Sequence, residues 1–196
     1  MPTHEERVEA FINTLKTRDN DQTINEYYHT RSAAMLASDQ EADLRSAISR
    51  EMHVNMRDVM ITGSAKLGFN LVGKPNRPSL SEFCDTSDID VVIISTELFV
   101  RYWRETSSFV QDYGPWSDVG SFRKYLARGW MRPDKLPKTA EFPAQREWFD
   151  FYRKLTESGM YGPYKITAGI YFDDKFWTSY ASTGLETCRK FIGVPK

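Results

Sequence analysis

Cysteine, histidine and long apolar runs are all scarce in this chain of 196 residues. Only Cys84 and Cys188 are present, which excludes a disulfide framework and a four-cysteine metal site. The three histidines are scattered and lack the spacing of a zinc site. The longest strictly apolar runs extend over only a few residues, which is too short to span a bilayer.

The chain also lacks a strong net charge and a recognisable targeting segment. Its formal net charge is -1, so the chain as a whole has no strong attraction for nucleic acid or membranes. The first residues are polar and acidic, without the apolar core of a signal peptide. We therefore expect a cytoplasmic protein that does not associate with a membrane.

Apolar residues, by contrast, are sufficient for a folded core. Hydrophobic residues make up 40% of the chain and aromatic residues 14%, which argues against disorder. The length favours one domain over residues 1–196. We divide it into a helical front (1–57), a motif-bearing core (58–95) and a region of helices with one further strand (96–196).

Apolar periodicity and capping signals predict an α/β (α+β) fold, in which a small mixed sheet is flanked by N- and C-terminal helices. Capping boxes at Thr3/Glu6 and Ser38/Glu41 predict two helix starts. Helices are expected over 3–18, 23–36, 38–52, 143–155 and 176–191, with two more that begin near Thr96 and Asp118. Strands are expected at Val59–Thr62, Ile89–Ile94 and Tyr164–Phe172.

The most informative stretch is 59–95, where two apolar runs carry polar residues at their ends. The first run ends in Gly63-Ser64, and the second begins with Asp88 and Asp90. Side chains two apart on a strand share a face, which places the two carboxylates about 6–7 Å apart. Such a pair suits Mg²⁺ or Mn²⁺, and glycine lets the backbone approach a phosphate closely.

Two other interpretations of this stretch are a P-loop and a backbone cap. Gly63 and Gly68 have the glycine spacing of a P-loop, but Phe69-Asn70 follows instead of Lys-Ser/Thr, which excludes a Walker A motif. The two aspartates could instead cap backbone groups at the turn that enters the strand.

The order strand, Gly-Ser, then Asp-x-Asp at the start of an apolar strand resembles the signature of the nucleotidyltransferase superfamily of DNA polymerase beta type. The matching residues are Gly63, Ser64, Ser87, Asp88 and Asp90, and the resemblance covers about residues 45–95. It implies a sheet of nucleotidyltransferase type and a nucleoside triphosphate substrate bound with Mg²⁺ or Mn²⁺ by Asp88 and Asp90. It also implies transfer of a nucleoside monophosphate to an acceptor hydroxyl.

The chain departs from this family in two ways. The Gly-Ser and Asp-x-Asp motifs are far apart, so 69–86 looks like an insertion at the mouth of the site. The family also takes a third carboxylate from a neighbouring strand, and the middle of 164–172 holds Thr167 and Gly169 instead. Asp173, at the end of that strand, is our candidate for the third catalytic acid.

This second departure leaves an alternative function open. The chain would then be a catalytically weakened relative that binds nucleotide or nucleic acid. It would otherwise serve as a partner subunit in a bacterial toxin–antitoxin or antiphage module, an antiviral defence role that the resemblance makes plausible.

Two basic features complete the candidate site. Lys66, just after Gly63-Ser64, is a candidate phosphate contact, although a surface lysine is the simpler interpretation. The segment 123–138 contains six basic side chains and one acidic one, interleaved with Tyr125 and Trp130. We interpret it as a candidate contact for a nucleic-acid or protein acceptor, with an ordinary solvated face as the alternative.

Overall fold

A mixed sheet forms the centre of the fold in the computed structural model, which describes residues 2–194. Over that range the chain has an α+β fold with eight α-helices and a four-stranded sheet. The helices are α1 (His4–Thr17), α2 (Asn20–Ile24), α3 (Ser38–Met52), α4 (Gly63–Leu67), α5 (Thr96–Tyr113), α6 (Val119–Leu126), α7 (Pro143–Glu157) and α8 (Asp174–Phe191). The strands are β1 (Val59–Thr62), β2 (Ile89–Ile94), β3 (Trp130–Met131) and β4 (Ile166–Tyr171). Among these helices none is both long and apolar enough to cross a membrane.

The sheet has the strand order β1-β2-β4-β3. β2 and β4 are parallel, whereas β1 and β3 pair with them in antiparallel fashion at the two edges. In the register of the sheet, Asp90 lies between Thr62 on β1 and Thr167 on β4. Directly paired side chains point to the same face, so these three residues lie together on one face near the start of β2.

β2 is buried on both faces, as its nearly continuous apolar sequence predicts. Ile89, Val91 and Ile93 pack into one hydrophobic cluster with α3, α5 and α7. Val92 packs into a second cluster, with α1, α2 and α8. Asp90 lies on this second face and is only partly buried. α8 packs further along the same face, against Val92 and Tyr171.

The two predicted capping boxes have different outcomes. Thr3 and Glu6 form theirs, with the Thr3 hydroxyl accepting from Glu6 N. The prediction at Ser38/Glu41 is wrong, because α3 is entered from Ala37, whose N–H donates to Gln40 Oε1. Glu41 turns inward, and its Oε2 accepts a 2.7 Å hydrogen bond from Ala33 N.

The helix predicted over 23–36 is also wrong in part. α2 passes into a π-helix at Asn25–Thr30, and the chain from Arg31 onward leaves the helical path. Ala34 N donates to Lys66 O and Met35 N donates to Ala65 O, so backbone N–H groups of this segment form hydrogen bonds with α4. Tertiary hydrogen bonds have replaced the local helix that periodicity favoured.

Candidate functional site

The two aspartates of the Asp-x-Asp motif stand where β2 begins. Asp90 is the second residue of the strand, and its Oδ1 accepts a 2.8 Å hydrogen bond from Thr167 Oγ1 on β4. Among residues 2–194, no backbone N–H donates to either carboxylate, which argues against the capping interpretation of this pair. Both side chains are partly exposed and available to a ligand.

The Gly-Ser turn lies directly against Asp90. Gly63 has a φ of +62°, and a Cβ built there would lie 2.7 Å from Asp90 Oδ2. Any side chain at this position would strain the backbone and collide with the carboxylate. Ser64 follows, half-buried, and its hydroxyl has no hydrogen-bond partner within the described range. The fold therefore brings the two predicted motifs together across twenty-five positions of sequence (63 to 88).

The electrostatics around Asp90 are set mainly by its burial and then by its polar neighbours. Burial raises the pKa of the Asp90 carboxyl, and the negative charge of Asp88 raises it further. The Thr167 hydrogen bond and the positive charges of Lys74 and Lys165 lower this pKa, but the net shift is upward. The site is therefore short of positive charge and favours a cationic partner.

Sequence reasoning did not identify the two lysines. Lys74 lies at the tip of a short turn in the 69–86 insertion, where its backbone exchanges hydrogen bonds of 2.7 and 2.9 Å with Arg77. Lys165 directly precedes β4, and its carbonyl accepts from Ile89 N. Both side chains are exposed. Neither stands in a motif, so only the tertiary structure reveals that their charges act on Asp90.

The insertion itself is held in place by its own hydrogen bonds. Phe69 pairs with Glu82, and Phe83 N donates to Gly68 O, which closes the base of the loop. The Asn70 side-chain amide donates to Pro78 O at 2.8 Å. Ser87, the residue before Asp88, accepts from Arg77 Nη1 at 3.0 Å. The loop thus joins the Asp-x-Asp motif directly.

Asp173 does not lie with the other two acids, which corrects our prediction of a third catalytic carboxylate there. Its side chain caps α8 by accepting from Phe176 N at 3.2 Å. In the parallel β2–β4 register Asp90 pairs with Thr167, six residues earlier (167 to 173). At the rise of a strand this separates Asp173 from Asp90 by roughly 20 Å. Thr167 occupies the position expected for the third acid.

Lys66 also points away from the carboxylates, so its predicted role as a phosphate contact at this site is corrected. Only 3% of its side chain is exposed, and its Nζ donates to Arg31 O and lies 3.8 Å from Glu41 Oε1. Burial lowers the pKa of this ammonium, and Glu41 acts in the opposite direction. Ser64 and Lys66 are two residues apart on α4, which is about half a helical turn, so their side chains point to opposite sides of the helix.

Half of the cations in the basic segment 123–138 are neutralised locally. Arg132 forms a two-pronged pair with Asp134, whereas Lys135 and Lys138 both reach Asp118. The remaining three, Arg123, Lys124 and Arg128, are exposed on α6 and just after it. The segment therefore offers less free charge to an acceptor than its sequence indicates.

Trp130, in the same segment, lies over the sheet face that carries Asp90. Its Nε1 occupies the space that a Cβ of Gly169 would need, at 2.6 Å, and this buried N–H has no hydrogen-bond partner within residues 2–194. Its ring stacks on Tyr171, with centroids 5.5 Å apart, and lies beside the half-exposed Tyr180. An aromatic wall therefore stands next to the carboxylates along β4.

The donor set of this site suits one divalent cation better than two. Within residues 2–194, no three His, Cys, Asp or Glu side chains come together in a group that could hold a metal ion. Mg²⁺ often binds through one or two carboxylates, with substrate phosphates and water completing its shell. Asp88 and Asp90 meet that need, whereas a two-metal centre usually needs a further carboxylate, and the neighbouring position on β4 is Thr167.

Comparison with known proteins gives no match for this chain, whether with family models, curated proteins or solved structures. The function must therefore be inferred from the geometry and chemistry of the site. Its most informative features are the Gly63 contact with Asp90 and the Thr167 hydroxyl at the neighbouring strand.

Proposed function

We propose that this chain binds a nucleoside triphosphate together with a divalent cation at Asp88 and Asp90, in a site of nucleotidyltransferase type with weakened transfer activity. The observation that carries this proposal is the hydrogen bond from Thr167 Oγ1 to Asp90 Oδ1. The two acids lie beside the Gly-Ser turn, and the neutral hydroxyl of Thr167 stands where the third acid of such sites is expected. The sheet, on this proposal, is the nucleotidyltransferase sheet.

Each residue of the site has a specific task in binding. Asp88 and Asp90 would hold Mg²⁺ or Mn²⁺, which neutralises phosphate charge when it is bound. Gly63 allows the backbone to approach the phosphates, and the unpaired Ser64 hydroxyl offers them a hydrogen bond. Lys74 and Lys165 place two exposed positive charges around the same opening, where they attract the triphosphate.

Thr167 explains why transfer would be weak. A third carboxylate would add negative charge next to the acceptor hydroxyl and help to remove its proton. The Thr167 hydroxyl is neutral and already donates its proton to Asp90. An acceptor would therefore be bound without a nearby base strong enough to activate it.

A second candidate function is full nucleotidyl transfer to an acceptor hydroxyl. It is favoured by the exposure of both acids and by the aromatic wall of Trp130 and Tyr180, which offers a stacking surface beside them. In this reaction the acceptor oxygen forms a bond to the α-phosphorus, the bond to the pyrophosphate oxygen breaks, and pyrophosphate leaves.

The deciding experiment measures binding and turnover separately. Calorimetric titration with ATP and the other nucleoside triphosphates in Mg²⁺ should show saturable binding by the wild-type chain. Asp88→Asn with Asp90→Asn should weaken that binding about a hundredfold or abolish it, because the cation loses both charged ligands. Asp85→Asn is the matched control, since it removes an exposed acid from the neighbouring loop.

The outcomes distinguish the two candidates. Binding that depends on the acid pair, with little release of labelled pyrophosphate, supports the weakened site. Rapid pyrophosphate release that the double substitution abolishes supports full transfer instead. Binding that the double substitution leaves unchanged would remove the site from consideration.

A further inference from the structure

A polar cavity lies on the same sheet face as Asp90, beside the edge strand β1. It has a volume of about 270 Å³ and lies between the π-helix 25–30, the first turn of α3 and the α4 residue Lys66. Met60 forms part of its wall and precedes Thr62, the register partner of Asp90, by two residues. None of Gly63, Ser64, Asp88 and Asp90 lines it.

Positive charge is concentrated in this cavity although the chain as a whole carries -1. The four basic lining residues are Arg31, Arg45, Arg57 and Lys66, against the single acid Glu41. Arg31 is already engaged, since it pairs with Glu26 and its guanidinium carbon lies 3.9 Å from the centre of the Tyr27 ring. Glu41 is the only acidic residue in the lining, and it lies 3.8 Å from Lys66 Nζ.

These cations are incompletely satisfied by the protein. Arg45 donates from Nη2 to Met56 O at 3.2 Å, but its Nε is buried and has no hydrogen-bond partner within residues 2–194. Arg57 reaches only Asp58, at 3.6 Å, and 84% of its side chain is exposed. The buried Lys66 ammonium feels the repulsion of Arg45, which contributes to the lowering of its pKa. An anion in the cavity would offset this repulsion and offer further acceptor oxygens to Arg45 and Arg57.

Neutral donors at the same place favour an oxyanion with several acceptor oxygens. The hydroxyls of Ser32 and Ser38 line the cavity, and neither takes part in a hydrogen bond within the described range. Ser38 also begins α3, a helix of 15 residues whose first N–H groups carry partial positive charge. Guanidinium groups bind phosphate oxygens in pairs, and hydroxyls complete a tetrahedral shell.

From these observations we infer that the cavity is a binding site for a small phosphate-bearing molecule, distinct from the carboxylate site and independent of the function proposed for it. The volume of about 270 Å³ suits a small ligand, since pockets for drug-sized ligands begin near 300 Å³. No cation is needed, because the protein supplies the positive charge.

Inorganic pyrophosphate in the presence of EDTA is the probe for this site. Calorimetric titration should show saturable binding, and backbone amide NMR should show shifts at Ser32, Ser38 and Ala42 without shifts at Asp88 and Asp90. Removing the metal prevents pyrophosphate from occupying the carboxylate site, so the double Asp88→Asn, Asp90→Asn variant should bind as the wild type does. Failure of the proposed nucleotide site would leave this result unchanged.

Arginine substitutions complete the test. Arg57→Gln changes a side chain that is 84% exposed, so the fold should be retained while pyrophosphate binding weakens about tenfold. The single substitution Arg45→Gln should weaken pyrophosphate binding more than Arg57→Gln does. Arg146→Gln removes an exposed arginine on α7 and should leave the affinity unchanged. Absence of saturable binding by the wild type, or equal weakening by Arg146→Gln, would overturn the inference.

Discussion

Two neighbouring parallel strands, β2 and β4, present their second residues to the same sheet face with different chemistry. On β2 that residue is Asp90, and in the same register on β4 it is Thr167. A carboxylate balances the charge of a divalent cation, whereas a neutral hydroxyl is a weaker ligand and a poor base. The backbone of the two strands is equivalent here, so the contrast lies in the side chains. If the proposed function is correct, substitutions on the two strands should therefore separate nucleotide binding from nucleotide transfer.

The largest effect is expected from placing an acid on β4 at the position that pairs with Asp90. Thr167→Asp should raise the rate of pyrophosphate release in Mg²⁺ or Mn²⁺ by about ten- to a hundredfold, since it restores a charged group at the reacting oxygen. Thr167→Asn, of similar size and no charge, should stay at the wild-type rate. A wild-type rate equal to that of Thr167→Asp would mean that the hydroxyl does not limit transfer.

The second-largest effect is expected from a substitution that displaces the Asp90 side chain on β2. Gly63→Ala should weaken nucleotide binding about tenfold, because its Cβ displaces Asp90 Oδ2 from a contact of 2.7 Å. Gly159→Ala is the matched control, with a similar φ of +66° and nothing within 4 Å of its Cβ. Both should lose about 1–2 kcal/mol of unfolding free energy from backbone strain, measured by urea denaturation. Equal nucleotide affinities in the two variants would show that the Gly63 contact is not needed.

A smaller effect is expected at the far end of β4. Asp173→Ala should cost about 1 kcal/mol of stability, because α8 loses its N-terminal cap. Asp173→Ser should recover most of that loss, since serine also caps. Nucleotide affinity and pyrophosphate release should be unchanged in both variants. A loss of nucleotide binding without a loss of stability would contradict this prediction and indicate that Asp173 contributes to the nucleotide site.

The smallest effect concerns the two cysteines, Cys84 in the loop before β2 and Cys188 on α8. Cys84 is exposed in the insertion, and hydrogen bonds with Thr86 lower the pKa of its thiol. Burial raises the pKa of the Cys188 thiol on α8 to about 11. Maleimide should therefore label Cys84 alone in the folded chain, because the thiolate is the reactive form. Thr86→Val should move half-maximal labelling to higher pH, and an unchanged pH profile would contradict this role of Thr86.

Local sequence signals were sufficient for most of the framework. The Thr3 cap, the short strand before Gly63 and the apolar strand after Asp88 are local patterns, and β1 and β2 have the predicted bounds. The α+β class follows from them. The two-residue strand β3 could not be predicted, because it exists only through its pairing with β4.

The candidate site was accessible from sequence only where a motif marked it. Gly63 and Asp90 belong to such motifs and meet in the fold. Lys66 was predicted because it follows Gly63-Ser64 and Asp173 because it stands at the end of the neighbouring strand. Half a turn of helix directs Lys66 away from the site, and the length of β4 separates Asp173 from it. The place of Thr167 beside Asp90 depends on the register of two distant strands, which the sequence does not encode locally.

The hydrogen bond from Thr167 to Asp90 joins residues 77 positions apart. Contacts of such long range must overcome the entropy of closing a large loop, so they tend to form late in folding. The β1–β2 hairpin and its Gly63 contact can form from a much shorter stretch of chain. The carboxylate pair would thus be assembled before β4 arrives, and the site is completed only when the segment through Tyr171 has docked beside it.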